Sequence, residues 1–242
     1  MNSIEARLTS VMTCTADMVD SLPSAIESVL CQTDPNFELL VLDDGSSDGT
    51  WDYLNTVEDP RVRLFRFEKR QGLTAARNFL LAQCRGEFVS IADADDYLAP
   101  TKIERHASIL GQNPRVGMVW GRALVCPAND GNGLWSLLPS LDFKSGWDLT
   151  LDYRAAHSAT TWRTQLLRTV GGYDPRYTLA EAVDMFLKVG DTHEQYFSEA
   201  IATLKRVSPD NPFRTALRRS GRRLSRRLLC DTLKRRYDFT DN

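Results

Sequence analysis

From Arg7 to Leu110 the chain alternates between short apolar runs of strand type and longer stretches of helical period. The strand-like runs are "RLTSVMT" (7–13), "FELLVLDD" (37–44), "RVRLFRF" (61–67) and "GEFVSIA" (86–92). After each comes a stretch whose apolar residues are spaced as in a helix: "PSAIESVLCQ" (23–32), "GTWDYLNTV" (49–57), "LTAARNFLLAQC" (73–84) and "PTKIERHASIL" (100–110). A helix between successive strands makes them run the same way, because a parallel pair needs a crossover long enough to return to the starting edge. The expected fold is therefore α/β, a mostly parallel sheet flanked by helices. Ligands of such sheets bind beyond the carboxyl ends of the strands.

Two of those ends carry carboxylates. "VLDDGSSDGT" sets Asp43 and Asp44 after a buried strand, and "SIADADD" packs Asp93, Asp95 and Asp96 into four positions. Asp43, Ser46 and Asp48 are as readily turn and cap residues as ligand contacts, since Asp or Ser beside Gly is ordinary turn chemistry. The second cluster asks for more. A helix cap needs one carboxylate, and three together repel one another unless a cation or a proton relieves them. Aspartate oxygens with positions left for water and phosphate are what Mg2+ or Mn2+ accepts.

Composition adds limits. At 242 residues, 42% hydrophobic and 26% charged, the chain can form one large domain or two small ones around a sizeable core. Its five cysteines are scattered and form no CxxC, which suggests a reducing, cytoplasmic compartment and neither a disulfide framework nor a zinc knuckle. No basic start leads into an apolar run, and no apolar stretch reaches about 18 residues. Neither a signal peptide nor a membrane span is expected.

Read in order, "PSAIESVLCQTDPNFELLVLDDGSSDGT", "RQGLTAARN", "RGEFVSIADADDYLAP" and "VGGYDPRY" resemble the successive motifs of family 2 glycosyltransferases of the GT-A fold, across residues 8 to 206. The resemblance implies a Rossmann-like GT-A domain over residues 1–207. Within it, about 1–125 would form the nucleotide-sugar half and 126–207 the acceptor half. It also implies inverting transfer of a sugar from a nucleotide-diphosphate donor, UDP-linked in the reading adopted, to a glycan or lipid-linked acceptor with Mn2+ or Mg2+. Residue by residue, Asp44 matches the contact to the donor base, Thr13 a nucleoside contact at the first strand end, and Arg77 a cation facing the donor. Asp93 and Asp95 match the DxD motif. Asp95 would be the principal metal ligand, with Asp93 on ribose or on the metal through water, while Asp96 is expected to cap the helix near Pro100. His157 matches a further metal ligand of some relatives, or is a structural histidine.

The chain also departs from the family pattern. Where an acidic pair should open a helix after "GGYD", it has Glu181 and then Ala182 at the position of the general base. Glu181 and Asp184 are the carboxylates at hand. Asp184 lies two residues on, about 200° round the helix from Ala182, so Glu181 is the better substitute. Structural roles for both remain open, and with them the alternative of a nucleotide-sugar-binding or scaffold homologue that has lost its chemistry. Thr15 stands where an aromatic residue commonly stacks on the base. Trp135, Trp147 and Trp162 fall in the acceptor half, as sugar platforms or as core.

The net charge of −2 conceals an asymmetry: residues 205–242 hold 12 Lys/Arg against 4 Asp/Glu, or +8, leaving −10 for residues 1–204. Residues 208–242 are expected to form a basic amphipathic helix, with Phe213, Leu217, Leu224 and Leu228 on one stripe and Gly221 weakening its middle. Such a helix suits an anionic membrane surface, which would make the protein peripheral on the cytoplasmic face. It suits equally the acidic body or a second subunit, so a homo-oligomer is open. Nucleic acid is not expected, because aromatic residues are sparse among the basic ones.

Overall fold

The computed structural model describes residues 7–127, 136–137, 156–177 and 181–207. Its strands are β1 (Thr9–Thr15), β2 (Phe37–Asp44), β3 (Val62–Phe67), β4 (Phe88–Ile91), β5 (Asp96–Leu98), β6 (Val116–Pro127), β7 (Ser136–Leu137), β8 (Thr160–Arg163) and β9 (Glu194–Val207). The helices are α1 (Leu22–Leu30), α2 (Thr50–Leu54), α3 (Leu73–Gln83), α4 (Lys102–Gln112), α5 (Thr164–Thr169) and α6 (Glu181–Gly190), with a 3-10 turn at His157–Ala159.

All nine described strands join one sheet in the order β3-β2-β1-β4-β8-β6-β9-β5, and β7 pairs with β6. The first four are parallel, as the βα alternation requires. Beyond β4 the sheet is mixed: β8 runs antiparallel to β4 and β6, β9 parallel to β6, and β5 antiparallel to β9.

Period-two alternation assigns the two faces of the sheet. Met12, Leu40 and Leu42 pack with Ala76, Leu80 and Leu81 of α3, Leu166 and Leu167 of α5, and Met185 and Phe186 of α6. The intervening Val11, Leu39 and Val41 pack with Leu22, Ile26 and Val29 of α1, Leu54 of α2 and Ile103 of α4. Each such side chain, fully buried, contributes about 1.5–3 kcal/mol relative to exposure. Trp162 belongs to this core: it is fully buried and stacked on Phe186 at 5.3 Å, which settles its role in favour of packing. Helix α2 is shorter than its sequence pattern, because only Thr50 and Leu54 are buried and little packing supports further turns.

Candidate active site

Strand β1 lies between β2 and β4, so the chain order reverses at β1 and a crevice opens beyond the carboxyl ends of β1 and β4. A pocket there is lined by Met12 and Cys14 of β1, Ile91, Ala92 and Asp93 at the end of β4, and Leu73 and Arg77 of α3. Sheet parity places Cys14 on this face. It turns Thr13 and Thr15 to the other, where both are buried and the Thr15 hydroxyl has no partner among the described residues.

The turn after β2 supports one wall. Gly45 has φ +68°, and a Cβ there would lie 2.7 Å from the Arg70 backbone nitrogen, so only glycine fits. Asp43 accepts from the Ser46 backbone N–H and hydroxyl and pairs with Arg66 at 3.2 Å, and Asp48 accepts from Val19 and Thr50; both act as turn residues. Asp44 Oδ1 and Oδ2 accept the backbone N–H groups of Gln71 and Gly72, at 2.6 and 2.8 Å, where α3 begins. This leaves one lone pair on each oxygen for a ligand.

Arg77 is the hub. It is 6% exposed; its Nη1 lies 2.5 Å from Glu181 Oε1, its Nη2 lies 3.2 Å from Asp93 Oδ1, and its guanidinium sits over the Tyr173 ring. Glu181, at the start of α6, is buried, and its second oxygen, Oε2, has no hydrogen-bond partner among the described residues. Ala182 packs on the apolar cluster beneath α3 and α6. Asp184 is buried and pairs with Lys188 at 2.6 Å; the structure does not bring it to Arg77 as it does Glu181.

The aspartate cluster is held largely by protein cations. Asp93 Oδ2 lies 3.6 Å and Asp96 Oδ2 2.8 Å from Lys205 Nζ. Burial alone would raise the Asp93 carboxyl, but Lys205 and then Arg77 bring it down to about 2. Asp96 does not cap α4. It begins β5, fully buried, accepts from the Ser158 hydroxyl at 2.6 Å and the Arg206 backbone N–H at 3.2 Å, and is raised to about 6 by burial. Thr101 occupies the cap position instead. Among the described residues, Asp95 alone of the three forms no ion pair, and burial and then Asp93 raise its carboxyl above the usual range.

No three His, Cys, Asp or Glu side chains converge as a metal-ligand set among the described residues. His157 is buried, its Nε2 lies 3.2 Å from the Tyr173 hydroxyl, its Nδ1 has no partner among the described residues, and burial holds its ring well below the usual histidine range. The structure thus does not join His157 to Asp93 and Asp95 as ligands. Among the described residues Asp95 is the carboxylate of the cluster without an ion pair, so it is the one that would hold a divalent ion, with water and phosphate completing the shell.

Sequence reasoning missed Lys205, Arg206 and Lys102. Lys205 and Arg206 belong by sequence to the basic stretch 205–242, but both lie in β9. The fully buried Lys102 donates to the carbonyls of Ile91, at 2.7 Å, and Ser158, at 2.6 Å, fixing the backbone just before Asp93. Its signal was the stripe Lys102, Ile103, His106 and Leu110, which places a lysine on the buried face of α4.

A family model described as glycosyl transferase family 2 matches residues 10–164. The chain is 34% identical over 96 residues to the UDP-Glc:alpha-D-GlcNAc-diphosphoundecaprenol beta-1,3-glucosyltransferase WfaP of Escherichia coli, covering 40% of this chain and 38% of that one. It is 32% identical over 129 residues to the putative teichuronic acid biosynthesis glycosyltransferase TuaG of Bacillus subtilis, covering 52% and 50%. The chain thus spans half or less of these relatives' length. Similar solved structures include S. aureus TarS 1–349 in complex with UDP-GlcNAc (TM-score 0.72, 18% identity, 96% of this chain and 73% of that). Another is the Pyrobaculum calidifontis mannosyltransferase PcManGT with GDP-Man and Mn2+ (TM-score 0.66, 20% identity, 88% and 60%). At these identities they establish the fold, which is that of GT-A glycosyltransferases.

Proposed function

Because the chain belongs to glycosyl transferase family 2, we propose that it transfers a sugar from a nucleotide-diphosphate donor, UDP-linked, to an acceptor hydroxyl with inversion. The observation that carries this reading is the convergence of Asp93, Arg77 and Glu181, in which Asp93 and Arg77 line the crevice beyond β1 and β4 and Glu181 pairs with Arg77. Similar proteins named for lipid-linked and cell-envelope glycan synthesis point to an acceptor of that class. Among the described residues no helix is long and apolar enough to cross a membrane. Residues 208–242, outside the described part, are proposed to meet the anionic surface that carries such an acceptor.

Asp44 and the β1 end receive the nucleoside, and Arg77 faces the diphosphate with its charge already oriented by Asp93 and Glu181. Glu181 Oε2, buried and without a partner among the described residues, accepts the proton of the acceptor hydroxyl. The acceptor oxygen then bonds to the anomeric carbon while that carbon's bond to the diphosphate breaks, and the pair of electrons leaves with the phosphate. A Mn2+ or Mg2+ held by Asp95, with Asp93 reached through water, would act as Lewis acid toward the charge that builds there.

A second reading rests on Ala182, which carries no carboxylate and packs against the core. On that reading the donor pocket persists in a binding protein. Incubation with Mn2+ and a panel of UDP- and GDP-sugars distinguishes the two: release of free nucleotide from one donor supports transfer chemistry. Binding of a donor without turnover, with lipid-linked acceptors supplied, would favour the binding protein.

A further inference from the structure

Asp96 and Lys205 stand opposite each other in the antiparallel β5–β9 pair, a register that places Nζ beside both Asp96 and Asp93. The next residue extends the grip: Arg206 Nε donates to the Asp95 carbonyl at 2.7 Å, Nη2 to the Ser21 carbonyl at 3.1 Å, and the guanidinium lies over the Tyr97 ring. Asp93 thus lies between Lys205 and Arg77, Asp96 pairs with Lys205, and only Asp95 of the three forms no ion pair among the described residues. The Lys205 side chain is 31% exposed, and its partner Asp93 lines the crevice.

Resting on the nucleotide-sugar reading of the site, we propose that Lys205 is a donor-positioning residue. It is a resident cation on the aspartate cluster that lets the site accept a nucleotide diphosphate before a divalent ion arrives. Without it, a pyrophosphate would approach two uncompensated carboxylates, and like charges at such distances oppose binding strongly where solvent is limited. The same charge must work against the metal, because Lys205 repels a dication at Asp95. The residue therefore divides the site between a direct lysine contact and a metal contact.

A purely structural lysine would lower both affinities together on removal; a resident cation moves them in opposite directions. Calorimetry on the full chain should find that Lys205→Met weakens metal-free binding of UDP about tenfold and tightens Mn2+ binding in the absence of nucleotide by a similar factor. Lys205→Arg should restore both toward wild type. If Lys205→Met does not fold, as judged by its thermal melt, Lys205→Gln is measured in its place. Unchanged affinities, or a parallel loss of both, overturn the proposal while leaving the donor reading intact. A wild-type chain that binds Mn2+ but neither UDP nor GDP overturns the donor reading and this proposal with it.

Discussion

Arg77 on α3 and Glu181 on α6 meet at 2.5 Å across 104 residues of chain, both almost fully buried. This contact ties α3 to α6 across the crevice, so the two carboxylates that share Arg77 cannot be perturbed independently.

Removing the guanidinium leaves Glu181 and Asp93 facing each other in a buried site. Arg77→Met should therefore cost about 3–5 kcal/mol of stability, measured as a lower urea midpoint. A loss below about 1 kcal/mol would show that the pair is solvated and the hub is not structural.

Glu181→Gln keeps a polar group near Arg77 but removes the proton acceptor. Transfer or donor hydrolysis should fall by about 10²- to 10⁴-fold with nucleotide affinity nearly unchanged. Ala182→Asp should then add little. A large gain from Ala182→Asp, with Glu181→Gln neutral, would return the base to position 182.

Asp95→Asn removes the carboxylate of the cluster that has no ion pair among the described residues. Mn2+-dependent enhancement of donor binding should disappear while metal-free nucleotide binding persists. Calorimetry giving the same Mn2+ enhancement in both proteins would move the metal elsewhere.

Lys102 supplies a pH test. Burial holds its ammonium down to about 7, against an unfolded value near 10.5, so between these limits the unfolded chain binds more protons than the folded one. Stability from this group is full above about 10.5 and is lost as pH falls through about 7. The urea midpoint of the wild type should rise from pH 7 to pH 9 more than that of Lys102→Met. Equal slopes would mean that Lys102 is not buried in solution.

Deleting residues 208–242, which hold ten Lys/Arg against four Asp, should abolish salt-sensitive sedimentation with anionic vesicles and leave the body folded. Equal vesicle binding by both chains would remove the membrane from the reading.

The parallel half of the fold was legible because its signals are local: strand period, helix period and Gly45 at a forced turn. Asp93 and Asp95 were legible for a different reason, since three carboxylates in four positions demand an explanation. What compensates them was not. The cations come from β9, and no local pattern says that Lys205 pairs across to Asp96 when a run of arginines follows soon after it. Asp96 read as a cap because Asp before a helix usually is one; a three-residue strand that needs β9 as its partner leaves no local periodicity to detect. Which of Thr13 and Cys14 faces the crevice was not legible in the run itself, because a shift of one residue reverses the face.

The β5–β9 pairing also sets an order of assembly. Asp96 leaves the ribosome 109 residues before Lys205, so the nascent amino-terminal half carries its carboxylate cluster without either β9 cation. The crevice acquires its final charge only when the last described strand docks, by a contact whose loop-closure entropy is among the largest in the chain. Chains ending before residue 194 should therefore show ordered β1–β4 but rapid amide exchange at Asp95–Leu98, making the aspartate loop the last part of the sheet to set.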